Sequence, residues 1–207
     1  MITVYHIRGA RGVRILWCCE EMGLPYDVRL VSFTQKPPEY AALNPSGTIP
    51  VMVDGSVVIA ESIAAMQYLA ACHGPTSLVV SADEPDFADY LQFVMLGEAG
   101  LSAPTAAVVA AKLIHGIEDP GAVGEIILDG FTRRMALVER QLADGREFLV
   151  GGRLTLADIS VAFPIGIATG VLKRGDLISA SVQAYRRRLY QRDAFRRAAA
   201  HGAPTEA

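Results

Sequence analysis

Ile2 to His6 reads as a strand, and helical spacing follows over 11–23, where Ile15, Cys18, Cys19 and Met22 make one apolar stripe while Val13, Leu16 and Trp17 extend a second. A further strand at 27–31, a short helix at 37–43, a hairpin at 51–59 and a helix at 62–73, with Ile63, Met66 and Ala70 on one face, complete the order βαβαββα. That order predicts an α/β layer structure. A helix apolar on both flanks needs two partners. The sheet is one, and a segment from the rest of the chain must be the other, which predicts intimate packing between two domains. Gly74-Pro75-Thr76 stops the third helix and opens a linker over about 74–84, giving domains at 1–75 and 85–207. Strand signals almost vanish from Asp86 onward. Phe87, Leu91, Val94 and Met95 mark a helix over 86–115, and Ile127, Phe131, Met135, Val138 and Leu142 mark another over 121–144, so the second domain is expected to be all-helical. Within it, Thr155 with Asp158 three residues on, flanked by Leu154 and Ile159, fits a capping box with a hydrophobic staple. The tail after about 201 is expected to be loose.

The densest chemistry lies between Asn44 and Ser62. Pro45 and Pro50 limit backbone freedom, Gly47 between them permits positive φ, and Asp54-Gly55 between two valine-rich triplets is a hairpin signal. Pro50 enters a strand and is a candidate cis residue. A cis bond there would turn the Ile49 N–H and C=O outward, where an extended peptide can pair with them. The hairpin leads into Ala60-Glu61-Ser62 at a helix start. First-turn amides and the Ser62 hydroxyl suit a carboxylate, and Glu61 suits an ammonium.

Asn-Pro-Ser-Gly-Thr-Ile-Pro, the hairpin and Glu61-Ser62 resemble the glutathione-binding half-site of the cytosolic, bacterial-type glutathione S-transferase family. Gly151-Gly152-Arg153-Leu154-Thr155-Leu156-Ala157-Asp158-Ile159 resembles the capped core helix of that family's second domain. The resemblance covers roughly 2–72 and 86–198, and implies a thioredoxin-like N-terminal domain followed by an all-α domain. It implies that Ile49 beside Pro50 pairs with the cysteinyl backbone of glutathione as co-substrate, and that Glu61 and Ser62 hold the γ-glutamyl end. It places Leu96, Leu101 and Pro104, with Phe93, Met95 and Glu98, near a pocket for a hydrophobic electrophile; Gly97 and Gly100 either open room there or permit a bend or close packing. It also implies a homodimer. Asp158 is read as a folding residue.

The 207 residues carry a formal net charge of −3 with about half of them apolar, which speaks against nucleic acid as a primary partner and against a disordered acidic tail. The opening residues lack a leader pattern, and no uninterrupted apolar run approaches membrane-spanning length, so a cytoplasmic protein is expected. Three cysteines, Cys18, Cys19 and Cys72, make no disulfide framework. Cys18 and Cys19 fall on an apolar stripe and read as core. His6, His73 and His115 lack paired spacing, and no metal is assigned.

Glutathione chemistry needs a thiolate, and a free thiol with a pKa near ~8.5 is mostly protonated at neutral pH. In many serine-type members of the family the position four before the helix arginine, here Arg14, holds the activating hydroxyl; this chain has Ala10 there. Three substitutes stay open. Tyr5 resembles the tyrosine-type arrangement, although the loop after it is about two residues shorter; Arg11 or Arg8 supplies positive charge; or the backbone amides of Ala10 and Arg11 act with the helix N-terminus. Thr48 stands where many members carry a lysine, and Lys36 or Gln35 is the replacement. The activity expected is conjugation of glutathione to a hydrophobic electrophile. Glutathione-dependent disulfide or peroxide reduction, or a glutathione-binding module without catalysis, are the alternatives.

Overall fold

The computed structural model describes residues 1–33 and 36–201. Two compact units divide the chain: Met1–Thr76 with the residues from Tyr190 to His201, and Ser77–Leu189. The last helix therefore belongs with the first unit, whereas the sequence placed it in the helical domain.

In the first unit the elements run β1 (Ile2–His6), α1 (Gly12–Met22), β2 (Tyr26–Leu30), α2 (Tyr40–Leu43), β3 (Val51–Asp54), β4 (Val57–Ile59) and α3 (Ser62–Cys72). This is a thioredoxin-like βαβαββα order. The sheet is ordered β2-β1-β3-β4. β1 runs parallel to β2, Val4 opposite Val28, and antiparallel to β3, Tyr5 opposite Val51. Strand alternation buries Ile2, Val4 and His6 on one face of β1 and leaves Thr3 and Tyr5 half-buried on the other. The β3–β4 hairpin closes on the pair Asp54 and Val57, so its turn residues are Gly55 and Ser56, one position later than Asp54-Gly55. Gly55 has φ 60°, a left-handed conformation that a Cβ would strain.

Every residue of α1 from Gly12 to Cys19 is buried, and the helix packs against β1, α3 and α9 (Asp193–Ala200). Two partners were expected for its two apolar flanks. The second is the chain's own final helix, folded back into the same unit. Trp17, 1 % exposed, sits edge-on to Phe195 at 5.0 Å and to Tyr190 at 6.3 Å, and those two rings stack at 3.7 Å. Charge seals the rim: Arg192 grips Glu21 with two bonds of 2.7 and 2.8 Å, and Arg197 reaches Glu20 at 2.6 Å.

The second unit holds α4 (Phe87–Met95), a π-helical segment (Leu96–Ser102), α5 (Ala103–His115), α6 (Gly121–Leu142), α7 (Leu156–Gly166) and α8 (Ala180–Tyr190), which ends at the unit boundary. No strand falls in it among the described residues. The first three join into a 29-residue helical run, Phe87–His115, that by length and composition is long and apolar enough to cross a membrane. The sequence had placed a helix over 86–115, but no uninterrupted apolar run of spanning length. Its Tyr90, Phe93, Val94 and Leu101 are buried, and it packs along α7. α7 opens on the expected capping box: Asp158 Oδ2 accepts the Thr155 N–H at 2.8 Å, while Oδ1 accepts Leu149 N–H at 2.9 Å and the Tyr185 hydroxyl at 2.8 Å. Asp158 is fully buried and ties three segments of this unit together, as its folding role requires.

Candidate functional site

The turn from Asn44 to Pro50 is held by its own polar groups. Asn44, 4 % exposed, donates from Nδ2 to Thr48 O at 2.8 Å and to Thr48 Oγ1 at 3.1 Å, and accepts the Ser46 N–H and hydroxyl on Oδ1. Tyr40 of α2 donates to the same Thr48 carbonyl at 2.6 Å. Gly47 adopts φ 66° in the middle of the turn, and its N–H returns to Asn44 O. The Ile49–Pro50 peptide bond is cis. Ile49 itself is half-buried, and among the described residues nothing hydrogen-bonds its N–H or C=O. An extended chain laid beside Ile49 finds one donor and one acceptor there, the requirement for strand-like pairing.

At the start of α3, Glu61 occupies the cap position in an extended conformation and its side chain is exposed. Ser62 is the first helical residue and is 2 % exposed. Arg14 Nη1 donates to its hydroxyl oxygen at 3.3 Å. Arg14 is itself fully buried on α1. The sequence reading used this arginine only as an alignment mark and missed its contact with Ser62; a charged residue between the apolar Val13 and Ile15 in a helix buried on both flanks was the available signal.

The loop before α1 is compact. Ala10 donates its N–H to Ile7 O at 3.0 Å. That amide is already engaged, so of the backbone route proposed from sequence, the Ala10 half is corrected; the methyl side chain offers no donor either. Arg11 follows at the α1 cap in helical conformation, half-buried. Gly12 is packed tightly: a Cβ there would lie 2.4 Å from His6 Nδ1 and 3.3 Å from Pro50 Cβ, so β1, α1 and the cis-proline turn meet at one glycine. His6 is 1 % exposed, its Nδ1 has no hydrogen-bond partner, and burial, with the charge of His201 second, lowers its pKa to about 4. It is a neutral imidazole at physiological pH. Tyr5, opposite Val51, meets Tyr40 edge-on at 5.5 Å, beneath the turn that Tyr40 anchors.

Other expected residues lie elsewhere or are otherwise occupied. Thr48 turns its hydroxyl back into the Asn44–Ser46 network, with Ser46 Oγ at 2.8 Å, and serves the turn. Lys36 donates its ammonium to Phe33 O at 2.9 Å within its own loop, and Gln35 lies outside the described residues. The tail beyond His201 lies outside them too. Cys18 and Cys19 are fully buried; burial raises the Cys18 thiol well above its usual range and the Cys19 thiol to about 12, so neither forms a thiolate near neutrality. In the second unit Leu96 and Pro104 are half-buried, but Leu101 is fully buried and presents no surface to a ligand. Gly97 serves close packing, since a Cβ would lie 2.2 Å from Ser160 Oγ on α7. A cleft in this unit is instead lined by Val108, Leu128 and Leu172 with Lys112 and Arg174, none of them among the expected pocket residues.

Family models for the glutathione S-transferase N-terminal domain and C-terminal domain match residues 11–72 and 106–200, together more than half of the chain. Glutathione S-transferase 3 of Schizosaccharomyces pombe is 26 % identical over 183 residues, covering 80 % of this chain and 73 % of that protein. Glutathione S-transferase 3 of Zea mays is 27 % identical over 196 residues, covering 91 % and 88 %. A solved glutathione transferase family member from Pseudomonas fluorescens Pf-5, with two glutathione bound, superposes with a TM-score of 0.83 at 26 % identity, over 96 % of this chain and 92 % of that one. With both family models matched in order on the thioredoxin-like unit and the helical unit, this chain belongs to the glutathione S-transferase family.

Proposed function

We propose that the protein is a glutathione transferase that binds glutathione along Ile49 and Pro50 and conjugates it, as the thiolate, to a hydrophobic electrophile. The observation that carries this reading is Ile49: its backbone donor and acceptor are unengaged beside the cis proline, in a turn rigidified by Asn44 and Tyr40, in the same unit as the buried Ser62 at the start of α3. Peptide pairing fixes the cysteinyl residue, the α3 N-terminus with Ser62 receives the γ-glutamyl carboxylate, and Glu61 receives its ammonium. The thiol loses its proton to solvent. The thiolate then attacks an electrophilic carbon; a C–S bond forms as a leaving group departs or a π bond opens. Catalysis on this reading is positioning plus stabilisation of the thiolate, which falls to Arg11, the α1 N-terminus and Tyr5. A cytoplasmic homodimer is the expected setting.

An activated aryl halide with glutathione tests the activity. A rate above background supports transfer, and no rate with pure protein overturns it. Tyr5→Phe is expected to lower turnover by less than about tenfold, since the phenol is one of several groups sharing the work. Ala10 favours a second reading. Without a hydroxyl, and with its amide spent on Ile7, this corner suits glutathione-dependent disulfide or peroxide reduction, in which glutathione attacks sulfur or oxygen rather than carbon. Reduction of a model disulfide outpacing aryl transfer selects it. Glutathione binding without either rate selects a binding module.

A further inference from the structure

We infer that Arg14 is a positioning residue for a carboxylate subsite at the start of α3, acting through the Ser62 hydroxyl. The inference rests on the glutathione reading above and deepens it. Arg14 lies on α1 and Ser62 on α3, 48 positions apart, yet the guanidinium donates to the hydroxyl oxygen at 3.3 Å, with Arg14 fully buried and Ser62 2 % exposed. A guanidinium has donors only and keeps its charge at any working pH. Ser62 Oγ must therefore be the acceptor in this contact. A hydroxyl has one proton to give, and accepting from Arg14 leaves that proton for another acceptor.

The other acceptor has a sign. α3 is 11 residues long, and its first turn turns amide protons and the positive end of the helix dipole to the same place. A buried cation behind the hydroxyl adds to that potential, so the spot favours an anion with two oxygens over a neutral group. Burying a charge is costly, and an aliphatic side chain between Val13 and Ile15 would bind α1 to α3 more cheaply if packing were the only need. Arg14 thus polarises and orients Ser62 without touching the ligand itself. Glu61, exposed at the cap, stands on the outer side of the same helix start and suits the ammonium that accompanies the γ-glutamyl carboxylate.

A bolt between two helices and a positioning residue make different demands on the ligand. Calorimetry is run on the wild type, Arg14→Gln and Arg14→Lys with glutathione and with 4-aminobutyryl-Cys-Gly, which lacks only the γ-glutamyl α-carboxylate; thermal unfolding of each ligand-free protein is recorded alongside. Arg14→Gln is expected to weaken glutathione ~tenfold or more while changing the analogue less than about twofold, and Arg14→Lys to recover part of the loss. Equal weakening of both ligands, or no change in either, overturns the inference and leaves Arg14 a bolt. If Arg14→Gln does not fold, Arg14→Lys carries the same comparison, and a wild-type ratio of affinities in that variant overturns it. Wild-type protein that gives no heat with glutathione at millimolar concentration removes the glutathione reading, and this inference falls with it. Binding that is intact but indifferent to Arg14 removes the inference alone.

Discussion

Ser62 shows how little side chain a binding subsite needs when its surroundings are fixed. It is buried, it heads a helix, and its oxygen already takes one donor from Arg14. Ser62→Ala removes the hydroxyl but keeps the helix amides and the buried cation, so glutathione affinity is expected to fall by about tenfold rather than vanish, read by calorimetry. Unchanged affinity removes the assignment of the γ-glutamyl end to α3. His6 sits in the same unit with the opposite character. Its folded pKa of about 4 lies below the ordinary 6.5, so between those values the unfolded chain binds the extra proton and the folded one resists it. Stability from this group is complete above about pH 6.5 and is lost as pH falls toward 4, by up to ~3 kcal/mol. Denaturant titrations of the wild type and His6→Asn at pH 7 and pH 4.5 read it as a difference, which cancels every other titrating group. Parallel pH dependence in the two proteins would show that His6 is not the buried neutral group found here.

Glycines at the scale of elements decide how closely helices approach. Gly97 and Gly100 belong to one π-helical segment, and the sequence could not separate their roles. A Cβ on Gly97 would meet Ser160 Oγ at 2.2 Å and the Ser160 backbone carbonyl at 2.5 Å, and Ser160 is pinned by its bond to Val94 O at 2.7 Å. A Cβ on Gly100 would meet only side-chain atoms, the end of Leu96 at 2.6 Å, which can swing aside, and Arg134 Cδ at 3.4 Å. Gly97→Ala is therefore expected to destabilise by more than about 2 kcal/mol, whereas Gly100→Ala, helped by helix propensity, stays within about 1 kcal/mol of the wild type. Comparable losses in both would mean that α7 and the π-helical segment do not approach as closely as found. The segment itself was hidden in the sequence because the apolar spacing leading into it, over Phe87, Leu91, Val94 and Met95 of α4, is that of an ordinary helix. The extra residue per turn follows from packing on α7, not from local preference.

Across the whole molecule, what was legible was what lies close in sequence. The Asn44–Pro50 turn, the Gly55 hairpin and the Thr155 capping box are written by adjacent residues whose backbone or hydrogen-bonding limits leave few options, and each stands in place. The Arg14–Ser62 contact and the return of α9 join residues 48 and more than 170 positions apart, and one sequence gives no register for such pairs. Helix α1 announced that it needed a second partner; only the fold says that Phe195, Arg192 and Arg197 supply it. That return has a built-in reporter, because Trp17 is the only tryptophan in the chain and lies 1 % exposed beneath Phe195 and Tyr190. Phe195→Ala removes the ring that covers it, and the half-buried position makes the expected cost about 2 kcal/mol, below that of a fully buried phenylalanine. Trp17 emission should then shift to the red in the native state, while Arg192→Ala, which loses the rim grip on Glu21 but leaves both rings in place, should lower stability with a smaller shift. Emission and stability both unchanged in Phe195→Ala would mean that α9 does not rest on α1 in solution, and the final helix would have to be returned to the second unit.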